Sequence, residues 1–335
     1  MTTNAMLSRR AALITGFATL ASPFSRLARA DAPDETAKPS TLDAAGQLDQ
    51  VREIARKEKL GKLHLVKSTL FQVIGDGDAQ FLRNTAIDCE AVAFDFVEHY
   101  RAKGFHVTPP KQHLTVVAAS GRRSFVAFLG ANPGPSVGGI YDRASNRLIV
   151  FDFRPEGESA PLRPGYANML TLAHEATHQL TYNTGILSRE ADNPYAIVEG
   201  MAMYGEVRKF SGSTPPGGIN NMRMEDLVRQ RRLKGNDWIP LDRMLRNDDV
   251  LRGVVGTIDR RLQGYSQSWL LVYHLMSDPQ LLPRFRDLLE ALKGTDPRAN
   301  PDRLALCSKY LGPIDRLDAD LQELAIRLLK RNPGA

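Results

Sequence analysis

The chain has 335 residues and a formal net charge of +6, a basic balance that would suit a nucleic-acid-binding protein. The first thirty residues carry four arginines and no acidic residue, so the rest of the chain has a formal charge of only +2. Composition therefore gives little support to nucleic-acid binding, and we expect no nucleic-acid partner.

The N-terminus has the pattern of an export signal. Arg9 and Arg10 precede an uncharged stretch that ends at Ser25, and Ala28-Arg29-Ala30 has the small-x-small pattern of a signal-peptidase site. The paired arginines resemble those of a twin-arginine signal, and the apolar stretch is too short to remain as a membrane anchor. We predict a signal peptide at residues 1–30 and a periplasmic or secreted protein. The alternative is a buried N-terminal helix, whose packing face two further arginines would interrupt.

The mature chain begins with a leader and continues as a sheet-forming part. Residues 31–46 are rich in proline and small polar residues without a period, so we expect a disordered leader. Residues 47–335 suffice for one large domain or two joined subdomains, here 47–212 and 213–335. Before the motif described next, the predicted elements are a strand at 64–74, a helix at 79–103, a strand at 113–119, and a hairpin of strands 138–141 and 147–153.

The motif His174-Glu175-Ala176-Thr177-His178 lies in a predicted helix over residues 166–180. Residues four apart share one face of a helix, so both imidazoles can point at one metal ion. Glu175 then projects beside that ion, where a general base is needed. The alternative is an amphipathic helix with two incidental histidines.

A second predicted helix, over residues 194–210, carries Glu199 twenty-one residues after His178. Two histidines and a carboxylate suit Zn²⁺, and three ligands leave a fourth position open for water. We predict His174, His178 and Glu199 as ligands of a catalytic zinc ion. The other five histidines lack such pairing and are interpreted as surface or core residues.

The remainder of the chain is predicted to be mainly helical. Helices are expected near 224–232, 265–276, 279–293, 301–310 and 314–330. Strands first, then the motif helix, then further helices indicate an α+β fold. Cys89 and Cys307 allow at most one intramolecular disulfide, and the sequence does not decide between that bond and two free thiols.

These motifs carry a family resemblance. His174-Glu175-x-x-His178 followed by Glu199-Gly200-x-Ala202-x-Tyr204-x-Glu206 resembles the gluzincin metallopeptidases, in particular a peptidase-MA-like group of bacterial proteins. A third block, residues 265–275, resembles the helix that follows in such proteins. The sequence departs from the family pattern at two places. Ile197-Val198 stand where an aromatic residue and a serine often precede the Glu-Gly pair. Met203 replaces an aspartate that would orient a ligand histidine. Glu206 is a candidate for that orienting role.

The resemblance implies a zincin-like fold: a small mixed sheet with an edge hairpin packed on the motif helix, followed by a helix-rich subdomain. In such a fold an edge strand beside the metal pairs with an extended peptide, and Gly138-Gly139-Ile140 is the candidate strand. The resemblance also implies that Tyr265 stabilises the oxyanion. Tyr182 and Tyr204 are the rival donors.

The predicted function is an exported zinc-dependent peptidase acting on a peptide or protein substrate, without a stable membrane span. Two alternatives stay open: a non-catalytic zincin-like scaffold or binding module, and a zinc hydrolase of another amide or ester. The presence of Glu175 favours an enzyme, because a structural zinc site does not use a general base. Substrate, endopeptidase or exopeptidase mode, and oligomeric state are left open by the sequence.

Overall fold

The computed structural model describes residues 39–134, 137–152, 164–207, 216–234 and 238–331. The predicted signal peptide, the first half of the predicted leader and much of the loop after residue 207 lie outside the described residues.

Five strands form one mixed sheet. They are β1 (His64–Lys67), β2 (Phe71–Gly75), β3 (Leu114–Ala119), β4 (Gly139–Asp142) and β5 (Arg147–Phe151). Their order is β1-β2-β3-β5-β4, with β2-β3 and β3-β5 parallel and the two outer pairs antiparallel. The predicted α+β class with a small mixed sheet is confirmed, and the predicted hairpin of β4 and β5 forms its outer edge.

The single strand predicted at 64–74 is wrong, because the chain reverses within it. The Ser68 amide donates to the Phe71 carbonyl oxygen at 2.9 Å, and Lys67 pairs with Gln72 across an antiparallel hairpin. Ser68, Thr69 and Leu70 lie between the two strands, where the chain turns. Period-two patterning cannot distinguish one long strand from a tight hairpin.

Eleven α-helices are present in the described residues. They are α1 (Ala44–Lys57), α2 (Ala79–Ala102), α3 (Arg122–Leu129), α4 (Pro164–Asn183), α5 (Tyr195–Gly205), α6 (Asn221–Lys234), α7 (Leu241–Arg246), α8 (Ile258–Ser277), α9 (Leu281–Leu292), α10 (Arg303–Leu311) and α11 (Ile314–Arg331). The sequence did not predict α1, α3 or α7, and α1 begins inside the stretch interpreted as leader. Among the described helices, none combines the length and apolar character that a membrane crossing requires.

The sheet is covered on both faces, so its central strands are buried throughout. Neighbouring residues of β3 point to opposite sides: Val116 joins the larger apolar core with α2, α4, α5 and α8, whereas Val117 packs with residues of α1 and α3. The larger core extends without a break from β2 to α11. The helix-rich part therefore shares one core with the sheet.

Close helix contacts position the centre of the molecule. A side chain at Gly200 of α5 would overlap the Ser268 carbonyl oxygen of α8, and one at Gly205 would overlap Thr177 of α4. These glycines let the backbones of three helices approach where larger residues could not.

Candidate metal centre

The structure brings the three predicted ligands together. His174 and His178 share one face of α4, and Glu199 reaches them from α5. The two Nε2 atoms are 3.2 Å apart, and the Glu199 oxygens lie 3.3 Å from His174 Nε2 and 3.6 Å from His178 Nε2. Histidine, cysteine and acidic side chains are the usual metal ligands in proteins. In the part of the chain that the structure describes, these three are the ones that lie close enough together to hold a metal ion.

These separations fit a tetrahedral zinc ion. Bonds of about 2.0–2.1 Å at tetrahedral angles place neighbouring donor atoms about 3.3 Å apart. The three measured distances lie within 0.3 Å of that value. The donor set of two imidazoles and one buried carboxylate also matches the ligands of known catalytic zinc sites.

The electrostatics favour a cation at this position. Burial by itself lowers the pKa of His174, but hydrogen bonds to Glu199 and Glu206 and the nearby Glu175 carboxylate raise it to about 10. Burial likewise raises the pKa of Glu199, but His178 and His174 bring it well below its ordinary value. The three carboxylates thus stabilise positive charge between the histidines, and a metal ion would compete with a proton for that place.

Glu175 lies in the same cleft as the ligands, which has a volume of about 670 Å³ including its open mouth. Its Oε2 accepts a hydrogen bond of 2.7 Å from the main-chain amide of Tyr141 in β4. The Tyr141 ring also stacks on the ring of His178, with 6.4 Å between centroids. The edge strand is thereby attached to the predicted base and stacked against a ligand.

The predicted edge strand is where the sequence placed it. β4 is the last strand of the sheet, and Gly139 pairs in register with Val150, so the glycines mark no bulge. A Cβ at Gly139 would lie 2.8 Å from the Thr171 methyl carbon on α4. Glycine there lets the motif helix cross close beside the strand.

Glu206 is hydrogen-bonded to a ligand, as predicted for an orienting group. Its Oε1 is 2.8 Å from His174 Nδ1, on the opposite side of the ring from the metal site. Two residues that the sequence did not identify hold this carboxylate. Arg223 contacts both oxygens, at 2.6 and 3.2 Å, and Asn220 donates to Oε2 at 2.7 Å. Burial by itself raises the pKa of Glu206, but Arg223 and His174 lower it to about 2.

No local pattern would have found Arg223 or Asn220. Both lie at the start of α6, beyond the loop after α5, and tertiary packing alone brings them to Glu206. Tyr141 was missed as a partner of Glu175 for the same reason. In contrast, Glu206 could be found because it follows Glu199 by seven residues, two helical turns.

Of the three tyrosines considered as oxyanion donors, Tyr265 lines the cleft in the described residues. The Tyr204 hydroxyl instead lies 3.0 Å from His99 Nε2, and the Tyr182 ring stacks on Tyr141. The expectation that Tyr265 opens its helix is wrong. Helix α8 begins two turns earlier, at Ile258, where the Thr257 hydroxyl accepts from the Arg260 amide at 3.2 Å.

The remaining candidates lie apart from the cleft. His99 and His274 do not line it, and both have pKa values lowered mainly by burial. Cys89 and Cys307 are both buried free thiols. The structure thus contains two buried thiols where the sequence left a disulfide open.

Comparison with known proteins adds one family. The family described as "Protein of unknown function (DUF1570)" matches residues 168–294. The matched stretch contains all three metal-ligand candidates together with Glu175, Glu206, Arg223 and Tyr265. No curated protein matches the chain.

Proposed function

We propose that this protein is a zinc-dependent peptidase in which His174, His178 and Glu199 hold the metal. The observation that supports this proposal is the meeting of three possible ligand side chains with Glu175 in one open cleft. When bound, zinc supplies Lewis acidity, which polarises a carbonyl group and makes water a stronger acid at neutral pH. We further propose that the chain is exported, on the basis of its N-terminal sequence.

Glu175 is the proposed general base. Its carboxylate accepts the proton of the attacking water and later delivers that proton to the leaving amine. The hydrogen bond from the Tyr141 amide orients the carboxylate toward the cleft before substrate arrives. Tyr265 is the proposed donor to the oxygen that becomes negative as the scissile carbonyl is attacked.

The edge strand supports a peptide as the substrate class. Among the described strands β4 has a partner on only one side, so its outer edge can pair with an extended chain through main-chain hydrogen bonds. The cleft lies directly against this edge, since Gly138 and Gly139 form part of its wall. A zincin-like fold has this relation between edge strand and metal helix, and we assign the chain to that fold as part of the same proposal.

Two substitutions separate the metal site from the base. Glu199→Ala should lower zinc content because a ligand is lost, whereas Glu175→Gln should keep zinc and abolish turnover because only the base is lost. Metal content is measured on the purified mature protein, and turnover in a digest of an unbiased peptide library. Wild-type protein that holds no zinc after reconstitution would refute the proposal. Zinc binding without hydrolysis of any peptide would favour the scaffold or another amide or ester substrate.

A further inference from the structure

A short loop before α8 exposes three large apolar side chains. Val254 is 71% exposed, Val255 36% and Ile258 64%, within five residues of sequence. In the described residues the other large apolar side chains with comparable exposure are spread over the segment before α1, β1, α2 and α11. This local concentration of apolar surface is called the apolar loop below.

The backbone of the apolar loop is held in place. The amides of Val254 and Val255 both donate to the Asp249 carbonyl oxygen, at 2.9 and 3.3 Å. Gly253 and Gly256, on either side of the valines, have φ values of 72° and 92°, which side chains rarely tolerate. The exposure of the valines therefore belongs to a defined turn.

The same segment also places apolar side chains inside the protein. Val250 and Leu251 are buried in the larger core, and Leu251 packs where a side chain at Gly264 would lie. Val250 and Leu251 thus anchor the loop in the core, whereas Val254 and Val255 face outward.

The apolar loop is continuous with the metal cleft. Ile258, Leu262 and Tyr265 follow at spacings of four and three residues on α8, so they form one stripe along the helix. Leu262 and Tyr265 line the cleft. The stripe therefore leads from the cleft to Ile258 and the exposed valines, and an extended chain that leaves the cleft along α8 meets apolar surface.

We propose that Val254, Val255 and Ile258 form an outer substrate subsite that binds apolar side chains of an extended peptide, several residues from the scissile bond. This inference rests on the proposed peptidase function. It makes substrate length and distant apolar residues determinants of specificity. Burial of such side chains on both partners would favour binding through the hydrophobic effect, without a change in the reacting groups.

The test compares four extended peptides and two variants. A cleaved peptide of about six residues is extended at one end or the other by about six residues, which add about 20 Å, with either leucines or serines in the extension. One variant carries Val254→Ser, Val255→Ser and Ile258→Ser. The matched control carries Ile87→Ser and Phe94→Ser, which remove apolar side chains of 65% and 64% exposure from α2.

In wild-type protein and in the control, the leucine extension at one of the two ends should give a kcat/KM at least tenfold higher than the serine extension at the same end. The difference should come from a lower KM. The loop variant should lose that preference. Unchanged preference in the loop variant, or equal loss in the control, would overturn the inference. The inference would also be overturned if the loop variant kept its preference for leucine but lost self-association or binding to lipid vesicles. The apolar loop would then contact a second copy of the chain or a lipid surface. Failure of the peptidase proposal is distinct, because wild-type protein would then cleave no peptide.

Discussion

The two nitrogens of His174 have different tasks. Nε2 faces Glu199 and His178, whereas Nδ1 faces Glu206, whose carboxylate is held by Arg223. A hydrogen bond to the second ring nitrogen sets the tautomer and the orientation of a ligand histidine. In the proposed zinc site Arg223 positions His174 through Glu206 and need not touch the substrate.

Replacing Arg223→Met should weaken zinc binding about 10- to 100-fold, because Glu206 would be left buried without its cation. The double variant with Glu206→Gln should recover part of the loss, since glutamine still accepts from Nδ1 and no buried charge remains. Zinc affinity is measured by competition with a chromophoric chelator.

The matched control is Arg303→Met, which breaks a partly buried ion pair with Asp192 and Asp248 away from the cleft. Both single variants should lower thermal stability, but only Arg223→Met should change zinc affinity. Equal zinc affinity in the two variants would remove Arg223 from the metal site.

Tyr265→Phe deletes one hydroxyl from the wall of the cleft. We expect kcat to fall by about a hundredfold, the usual loss of one oxyanion donor, while zinc content and melting temperature stay near wild-type values. Steady-state kinetics on a cleaved library peptide measures this. Tyr204→Phe serves as the comparison, because the Tyr204 hydroxyl lies against His99. Wild-type turnover by folded, zinc-containing Tyr265→Phe would exclude the residue from the mechanism.

At the scale of residues, the sequence predicted what a helix places by itself. His174 and His178 are one turn apart, so their shared face follows from local geometry. Arg223 and Tyr141 reach the site only through the packing of α6 and β4, which local spacing does not encode. The shared face of His174 and His178 could therefore be predicted, and the contacts that hold Glu206 and Glu175 could not.

At the scale of elements, α2 and α5 meet through a buried polar contact. His99 Nε2 lies 3.0 Å from the Tyr204 hydroxyl, and burial, with a smaller effect of Lys103, lowers the pKa of His99 to about 4. The unfolded chain, with an ordinary histidine pKa of about 6.5, therefore binds more protons between pH 6.5 and 4. The contribution of His99 to stability is complete above pH 6.5 and is lost as the pH falls through this interval.

His99→Gln should reduce this loss, because glutamine can still bond to Tyr204 and does not titrate. The expected result is a smaller decrease in melting temperature between pH 7 and pH 5 than in wild-type protein. His106→Gln, at an exposed position, is the control and should behave as wild type. An identical pH dependence in His99→Gln would mean that His99 is not buried in its neutral form.

Two long helices were located well, whereas α1, with fourteen residues, was missed because its start was interpreted as leader. Helix α2, predicted at 79–103, spans Ala79–Ala102, and the motif helix, predicted at 166–180, lies within Pro164–Asn183. Helices α3 and α7 have eight and six residues, too few for a clear period. The start of α8 was misplaced because polar residues precede Tyr265, and only the Thr257 cap shows where the helix begins.

At the scale of the molecule, a bound metal would tie two helices of one core. The proposed ligands come from α4 and α5, so zinc held by them would bind the folded chain and should stabilise it by mass action. At zinc concentrations about a hundredfold above the dissociation constant, this amounts to about 2.7 kcal/mol. For a domain of about 290 residues the melting temperature should rise by about 4–5 °C.

Thermal melts with a chelator and after zinc is restored measure this shift. Glu199→Ala, which lacks one ligand, should melt at the same temperature in both conditions. A wild-type melting temperature that does not respond to zinc, in protein shown to contain the metal, would mean that the ion does not discriminate between folded and unfolded chains.

The contact at Gly200 has a consequence for relatives of this chain. The residue next to Glu199 touches the α8 backbone directly, so any larger side chain there would push α5, and Glu199 with it, away from the histidines. A relative could retain both histidines and both glutamates and still lose the metal through this one position. Among such proteins, the presence of glycine at this position would indicate an intact metal site better than the presence of the His-Glu-x-x-His motif alone.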